Sequence, residues 1–271
     1  HEGYVDDWHL VNLGRFAMGG AGLIITEATA VQKKGRITHG CPGIWKDEQI
    51  IGHSRIAQFI SRNGAIPGIQ LGHAGRKASM QRPWYGNGPL NEDDFERGDM
   101  PWNIVAPSAF SVSEGWQIPE EMSEEQICEL IDDFIAAARR AISAGYKVIE
   151  LHGAHGYLIH SFLSPVSNKR TDKYGGDLSG RMKLAIDISS ALRRSISDEM
   201  PLFFRVSSTD NLENGWSLED SVELAKELKK VGVDVIDCSS GGISGSATAA
   251  RGKRMPGYQV PFAEKIKRNA N

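Results

Sequence analysis

The sequence lacks a long hydrophobic run, a large net charge of either sign and a pattern of paired cysteines. No stretch of its 271 residues approaches the roughly 18 consecutive apolar residues that a membrane-spanning helix needs. The formal net charge is −3, so the charge balance gives no reason to expect binding to nucleic acid. Its three cysteines, Cys41, Cys128 and Cys238, form no CxxC pair, which argues against a disulfide framework and against a zinc or iron–sulfur site.

No signal peptide is recognisable either, so we expect a cytoplasmic protein in a reducing compartment. The chain opens with HEGYVDDW and has no initiator methionine. We therefore expect that residues upstream of His1 are missing.

The sequence does contain a regular alternation of short apolar runs with amphipathic stretches. Amphipathic stretches predict helices, most clearly after Met122, where Ser123 and Gln126 form a capping-box pattern and Gly145 follows as a C-cap. Strands that are apolar on both faces and joined by helices indicate an α/β fold with a buried parallel sheet. This pattern fits a (β/α)8 barrel or a doubly wound sheet. The five predicted strands lie in 22–31, 65–75, 146–155, 201–210 and 233–242.

A barrel of this length would be incomplete. An eight-stranded barrel takes about 250 residues without insertions, and here residues 79–120 form a long insertion. The sequence also ends in a helical pattern that begins near Val260. We therefore predict one partial barrel domain over residues 1–271, short at both ends, with a loop insertion at about 79–120.

Polar residues cluster where each predicted strand stops. In a barrel, the C-terminal ends of the strands converge on the active site, so residues far apart in sequence would meet there. A single strand-end arginine or glutamine is more often an ion-pair partner or a satisfied polar group, but the joint pattern favours a site. The residues concerned are Glu27, Thr29, Gln70, His73, His152, His155, Arg205 and 238–240.

The segment ELHGAHGYLIHSF, residues 150–162, allows three interpretations. A metal site is the weakest, because HxxH lacks the HExxH spacing and no carboxylate follows at a useful distance. A polar loop without chemistry stays open on the local sequence alone. The favoured interpretation is that His152 and His155 donate hydrogen bonds to a substrate oxygen while Tyr157 supplies a proton. His160 is expected to pack the loop.

The run IELHGAHGYLIHSFLSPVSNKRTDKYGGDLSGR, residues 149–181, resembles the Old Yellow Enzyme family of FMN-dependent ene-reductases. Further likeness lies in GLIITEATAV, GRITHGCPGIW, GIQLGHAGRKAS and FFRVSSTD, so the resemblance extends along nearly the whole chain. The segment GRKASMQRPW is similar to the corresponding segment in the bacterial branch of the family, which contains the xenobiotic reductases.

The resemblance implies a (β/α)8 barrel that holds FMN over its mouth. Ala28 matches the position whose backbone lies beside the flavin ring. Gln70 matches the glutamine that hydrogen-bonds the pyrimidine edge of the flavin. Arg205 matches the arginine near flavin N1 and O2, where a fixed cation stabilises the negative charge of the reduced flavin.

The resemblance also implies a reaction and its catalytic residues. His152 and His155 match the pair that holds the substrate carbonyl oxygen, and Tyr157 matches the residue that protonates the substrate. NADPH or NADH would reduce FMN, and flavin N5 would then deliver hydride to an α,β-unsaturated carbonyl or nitro compound. The implied partners are small molecules and, because relatives are often dimers, a second copy of the chain.

Both ends depart from the family pattern. Family members begin with a strand that carries a Cys or Thr near flavin N5, and they close the barrel with two further strand–helix units that grip the FMN phosphate. The resemblance thus predicts that the first strand and the last two units are missing. Two other functions follow as alternatives: a non-catalytic remnant of this family, and a relative of the 2,4-dienoyl-CoA reductases.

Overall fold

A computed structural model describes residues 2–245 and 255–270 of the chain. The helices of this part are α1 (Asp7–Met18), α2 (Ile50–Arg62), α3 (Glu92–Glu96), α4 (Glu124–Ala144), α5 (Leu158–Leu163), α6 (Leu178–Ser195), α7 (Leu218–Lys230) and α8 (Val260–Asn269). The strands are β1 (Leu23–Ile25), β2 (Thr29–Ala30), β3 (Ile66–Gly72), β4 (Val105–Ala106), β5 (Glu120–Glu121), β6 (Val148–Gly153), β7 (Leu202–Ser207) and β8 (Val235–Ser239).

The main sheet is parallel and follows the order β1-β3-β6-β7-β8, with β2 also paired to β3. The larger helices pack in sequence, α1 on α2, α2 on α4, α4 on α6, α6 on α7 and α7 on α8. A doubly wound sheet would place helices on both faces, whereas a continuous series of neighbouring helices is typical of the outer layer of a barrel. The predicted α/β class is confirmed.

Local signals in the sequence set the limits of the long helix α4. The Ser123 hydroxyl accepts a hydrogen bond from the Gln126 amide, and the Gln126 side chain accepts one from the Ser123 amide. Gly145 ends the helix with φ +100°, a left-handed conformation that glycine adopts without steric cost. The predicted capping box and C-cap are confirmed.

The first predicted strand is interrupted in the structure. The pairing runs from Ile25 beside Gly68 to Thr29 beside Leu71, so that residues 26–28 face residues 69–70. One extra residue on one strand of a pair is a bulge, which bends the strand and redirects its side chains. Ala28 lies within this bulge.

The two faces of the sheet differ in polarity, so the strands are not apolar on both faces as expected from the sequence. Successive side chains of a strand point to opposite faces. Residues such as Ile69, Leu151 and Phe204 pack in the main core on the side of the helices. Between them, on the inner face, lie polar residues. This arrangement leaves a row of polar side chains along the barrel interior.

The insertion covers part of this inner region. Its residue Ile104 packs with Ala74, Ala78 and Tyr157 in a small apolar cluster. The insertion therefore contacts the loops that follow β3 and β6. Among the described residues, no helix is long and apolar enough to cross a membrane.

Candidate functional site

Strand register places five polar residues side by side on the inner face. Gln70 of β3 pairs with Glu150 of β6, His152 of β6 pairs with Arg205 of β7, and Arg205 pairs with Asp237 of β8. Because Glu150 and His152 are two residues apart, they point to the same side of their strand. Of the strand-end residues predicted from the sequence, Gln70, His152 and Arg205 are brought together in this way. Glu27 is not, because it is exposed and lies 3.8 Å from His9 of α1.

His152, His155 and Tyr157 form a compact group at the end of β6. The ring centroids of His152 and Tyr157 lie 5.0 Å apart, those of the two histidines 5.2 Å, and those of His155 and Tyr157 6.5 Å. The three rings meet edge to face. The predicted trio is thus brought together in space.

The hydrogen bonding of His152 determines which of its nitrogens carries the proton. Its Nδ1 accepts a hydrogen bond from the Ala154 amide at 3.3 Å, so the proton of the neutral ring lies on Nε2. Burial, followed by the nearby His155 and Arg205, holds the pKa of His152 well below its usual value. His152 is therefore a neutral imidazole with an N–H available to donate.

His155 is held in a fixed position by two serines. Its amide donates to Ser207 Oγ at 2.9 Å, and its Nε2 lies 2.6 Å from Ser239 Oγ. Its φ of +61° is a left-handed conformation that few residues other than glycine adopt. Burial first, then Arg205, His160 and Lys77, lower the pKa of His155 to about 3, so this ring is also neutral.

Tyr157 stands at the N-terminus of α5 with only 7% of its surface exposed. Burial raises the pKa of its phenol, and a negative charge on Cys41 would raise it further. The hydroxyl therefore keeps its proton through the neutral range. A buried phenol beside two neutral imidazoles is suited to give up a proton only when a strong base forms next to it.

Gln70 is oriented by a carboxylate. Its Nε2 donates to Glu150 Oε1 at 2.6 Å, and both residues are buried. Burial raises the pKa of Glu150, and the hydrogen bond from Gln70 opposes that shift. Since the amide nitrogen faces Glu150, the amide oxygen of Gln70 is directed elsewhere as an acceptor.

Arg205 lies on the inner strand β7, between His152 of β6 and Asp237 of β8. Its Nε lies 3.2 Å from Asp237 Oδ2 as an ion pair, yet this nitrogen makes no hydrogen bond of good geometry. In residues 2–245 and 255–270, the two terminal nitrogens of Arg205 likewise make no hydrogen bond. The side chain is 35% exposed. A half-buried guanidinium with free N–H groups can accept an anionic or carbonyl edge of a ligand.

Ala28 lines the same narrow cleft as His152 and Tyr157. The cleft is lined by Ala28, Gly72, His73, His152 and Tyr157, among others. The structure thus brings Ala28 together with His152 and Tyr157, while Gln70 and Arg205 lie along the inner face next to them.

His160 lies outside this group. Its Nδ1 accepts a hydrogen bond from the Gly156 amide at 2.7 Å, and its Nε2 lies 2.8 Å from Asp210 Oδ1. Both His160 and Asp210 are buried. In the part of the chain that the structure describes, no group of three or more His, Cys, Asp or Glu residues is arranged to hold a metal ion.

The sequence matches a known protein family. The model of the NADH:flavin oxidoreductase / NADH oxidase family matches residues 3–271. The chain belongs to this family. An NADH:flavin oxidoreductase of Gibberella zeae is 45% identical over 278 residues, covering 98% of this chain and 67% of that protein. An NADPH dehydrogenase of a Geobacillus species is 43% identical over 270 residues, covering 100% and 72%.

Solved structures of other oxidoreductases share the fold. 2-Naphthoyl-CoA reductase, in complex with 2-naphthoyl-CoA, gives a TM-score of 0.83 at 29% identity, over 98% of this chain and 40% of that chain. Old Yellow Enzyme from a Pichia species gives 0.73 at 25% identity, over 87% and 62%. The resemblance to the Old Yellow Enzyme family is confirmed, and with it the (β/α)8 class of fold.

Family membership identifies an oxidoreductase that uses FMN as cofactor and NADPH or NADH as reductant. The residues on the inner face fit this cofactor in their chemistry. The guanidinium of Arg205, a cation held beside Asp237, suits the electron-rich edge of a flavin, and the amide oxygen of Gln70 suits a ring N–H.

Two residues of this region were missed as site candidates by sequence reasoning. Glu150 is absent from the strand-end residues predicted from the sequence, yet it lies two residues before His152 on the same face of β6. Ser239 was noted only as part of a strand end, yet its hydroxyl contacts His155. Alternation along each strand was the available signal, but their contact partners depend on register between distant segments.

Proposed function

We propose that the protein reduces the carbon–carbon double bond of α,β-unsaturated carbonyl or nitro compounds, with His152, His155 and Tyr157 as its catalytic residues. One observation carries the proposal. Two neutral imidazoles and one protonated phenol lie with ring centroids 5.0 to 6.5 Å apart at the inner end of β6. Such a group can hold an oxygen atom that gains negative charge and also donate a proton.

The imidazoles bind and polarise the substrate oxygen. His152 donates from Nε2, since its Nδ1 is already an acceptor. His155 donates from Nδ1 if the Ser239 hydroxyl donates to Nε2. Both rings are neutral, so they donate without bringing a mobile proton that the substrate could remove. Withdrawal of electrons by these hydrogen bonds makes the β-carbon of the substrate electrophilic.

Tyr157 supplies the proton. Reduced FMN, when bound, supplies the hydride that adds to the β-carbon. The Tyr157 hydroxyl then protonates the α-carbon, which becomes basic only at that stage. Because burial raises the pKa of Tyr157, the phenol holds its proton until the substrate needs it.

Three residues would hold the flavin ring. The amide oxygen of Gln70 accepts from a ring N–H, and Arg205 donates to the pyrimidine edge and stabilises negative charge there. Ala28 offers its backbone and a small side chain beside the ring. These roles are supported by the orientation of Gln70 against Glu150 and by the place of the Arg205 guanidinium next to His152 on the inner face.

An anaerobic titration tests the proposal. The FMN-loaded protein is expected to bleach when NADPH or NADH is added and to regain its yellow colour with 2-cyclohexenone. Cyclohexanone, which lacks the double bond, is the control and should leave the flavin reduced. A protein that takes up no FMN, or that is bleached but not re-oxidised by any enone or nitroalkene, would contradict the proposal.

Glu150→Gln is expected to weaken FMN binding about 5- to 10-fold, roughly the value of one hydrogen bond. The amide of the new glutamine can donate as well as accept, whereas the carboxylate of Glu150 only accepts. The variant therefore no longer fixes the orientation of the Gln70 amide, whose oxygen would bind the flavin. Flavin fluorescence measured against protein concentration gives the dissociation constant. Glu129→Gln, on the exposed face of α4, is the matched control. Equal affinity of the two variants would rule out this role of Glu150.

A further inference from the structure

Lys77 lies entirely inside the protein although its side chain can carry a charge. It ends a single 3-10 turn, Gly75–Lys77, directly after β3, and it is 0% exposed. Its Nζ donates to the main-chain oxygen of His155 at 2.9 Å and also to that of Gly242. One amine therefore joins the loop after β3 to the loops that follow β6 and β8.

The charge of Lys77 has no compensating carboxylate. Across residues 2–245 and 255–270, no acidic side chain forms an ion pair with Lys77, and burial, followed by the Arg76 guanidinium, lowers its pKa to about 7. Burying an unpaired ammonium group is unfavourable, and an apolar side chain of similar length would avoid that penalty. Packing alone therefore gives no reason for a lysine here.

The two loops joined by Lys77 touch backbone to backbone. A Cβ atom added to Gly156 would lie 2.1 Å from the Gly242 oxygen, and one added to Gly242 would lie 2.6 Å from His155 Cα. Gly156, Gly242 and His155 all have positive φ values, of +75°, +89° and +61°. The conformation of His155 thus depends on close contact with the loop after β8.

The same amine lies next to Tyr157. Lys77 Nζ is 5.9 Å from the centroid of the Tyr157 ring. A second tether runs beside it, since Arg76 donates to the main-chain oxygen of Ile243 at 2.6 Å. Arg76 and Lys77, both in the loop after β3, therefore bind the loop after β8. Lys77 also contacts the candidate catalytic residues His155 and Tyr157.

We propose that Lys77 is a positioning residue of the site. By binding the carbonyl groups of His155 and Gly242 together, it holds the loop after β6 against the loop after β8 and so fixes the backbone of His155. This inference rests on the proposed function only where it concerns catalysis. The link between the two loops rests on the hydrogen bonds that Lys77 donates to His155 and Gly242.

Amide hydrogen exchange of Lys77→Met tests the link without cofactor or substrate. Three amides report on the loops, since those of His155, Gly156 and Gly241 donate to Ser207 Oγ, His160 Nδ1 and the Thr209 oxygen. We expect these amides to exchange about tenfold faster in the variant, with the amides within β3 and β6 unchanged. Lys229→Met, at an exposed position of α7, is the matched control.

Kinetics separate the positioning role from stability. With the FMN-loaded enzyme, Lys77→Met should lower kcat/KM for an enone about tenfold or more, because the histidine is misplaced. Its thermal midpoint and its rate of flavin reduction by NADPH should stay close to those of Lys229→Met. If neither the wild-type protein nor the variants reduce enones, the proposed function is wrong. The exchange experiment then still shows whether Lys77 holds the two loops together.

Two outcomes would overturn the inference. One is unchanged exchange at the three loop amides; the other is equally faster exchange throughout the sheet, which would mean general destabilisation. If Lys77→Met does not fold, Gly242→Ala tests the same contact from the opposite side, because its Cβ would push the loop away from His155. Faster exchange confined to the loops then supports the link, and unchanged exchange rejects it.

Discussion

His152→Ala is expected to slow enone reduction about 100-fold or more while FMN stays bound. The imidazole donates from Nε2, and removing one donor to an oxygen that becomes negative in the transition state costs about 3 to 4 kcal/mol of barrier. Stopped-flow re-oxidation of the reduced enzyme by 2-cyclohexenone measures the effect. The rate of flavin re-oxidation should fall, and the absorbance of bound FMN should not.

The variant His152→Asn separates the effect of the donated hydrogen bond from the effect of side-chain size. An asparagine amide also donates a hydrogen bond, so this variant should recover part of the lost rate, whereas alanine should recover none. The neutral state of His152 adds a pH criterion. Because burial, followed by the nearby His155 and Arg205, keeps its pKa well below the usual value, the contribution of His152 should persist as the pH falls through the range in which an ordinary imidazole gains a proton. Equal rates for wild type and His152→Ala would refute the role.

Local sequence signals predicted the long helix that follows Met122 and both of its ends, whereas the short helices α3 and α5 were not predicted. The capping pattern at Ser123 and Gln126 and the glycine at 145 act within a few residues of the helix ends, so their effect can be read without knowing the fold. The five predicted strands were also found, since each segment contains a short apolar run between helical patterns.

Contacts between distant segments could not be predicted in the same way. The bulge at residues 26–28 arises from pairing with β3, and nothing in the segment 22–31 itself marks it. The hydrogen bond between Gln70 and Glu150 joins residues 80 positions apart in the sequence. Register on the sheet decides which polar residues meet, and register depends on the whole fold.

Lys77 shows a further limit. Lysines are rarely buried, so the sequence alone gives no reason to expect this side chain inside the protein. Its complete burial results from three loops that meet only in the folded protein. Two of these loops contribute the main-chain carbonyl groups that accept hydrogen bonds from its amine. Because these acceptors belong to the backbone, no residue type in the sequence marks them.

Tyr157→Phe is expected to lower the rate of enone turnover at least about 100-fold, as for the loss of a positioned general acid. The phenol is the proton donor of the proposed reaction, and phenylalanine keeps the ring and its edge contact with His152 while removing the proton. Reduction of FMN by NADPH should continue at the wild-type rate, because that step needs no proton from Tyr157. The defect should therefore appear only in the half-reaction with the enone.

Tyr146→Phe is the matched control, since this chain offers a second buried tyrosine outside the site. The Tyr146 hydroxyl forms a hydrogen bond with His53 Nδ1 at 2.9 Å, in the core between α2 and the sheet. Its loss should cost about 1 kcal/mol of stability and leave both half-reactions unchanged. If Tyr157→Phe behaves like Tyr146→Phe, the proton comes from water or another group. In that case the phenol only packs beside His152, and the acid must be sought elsewhere along the cleft.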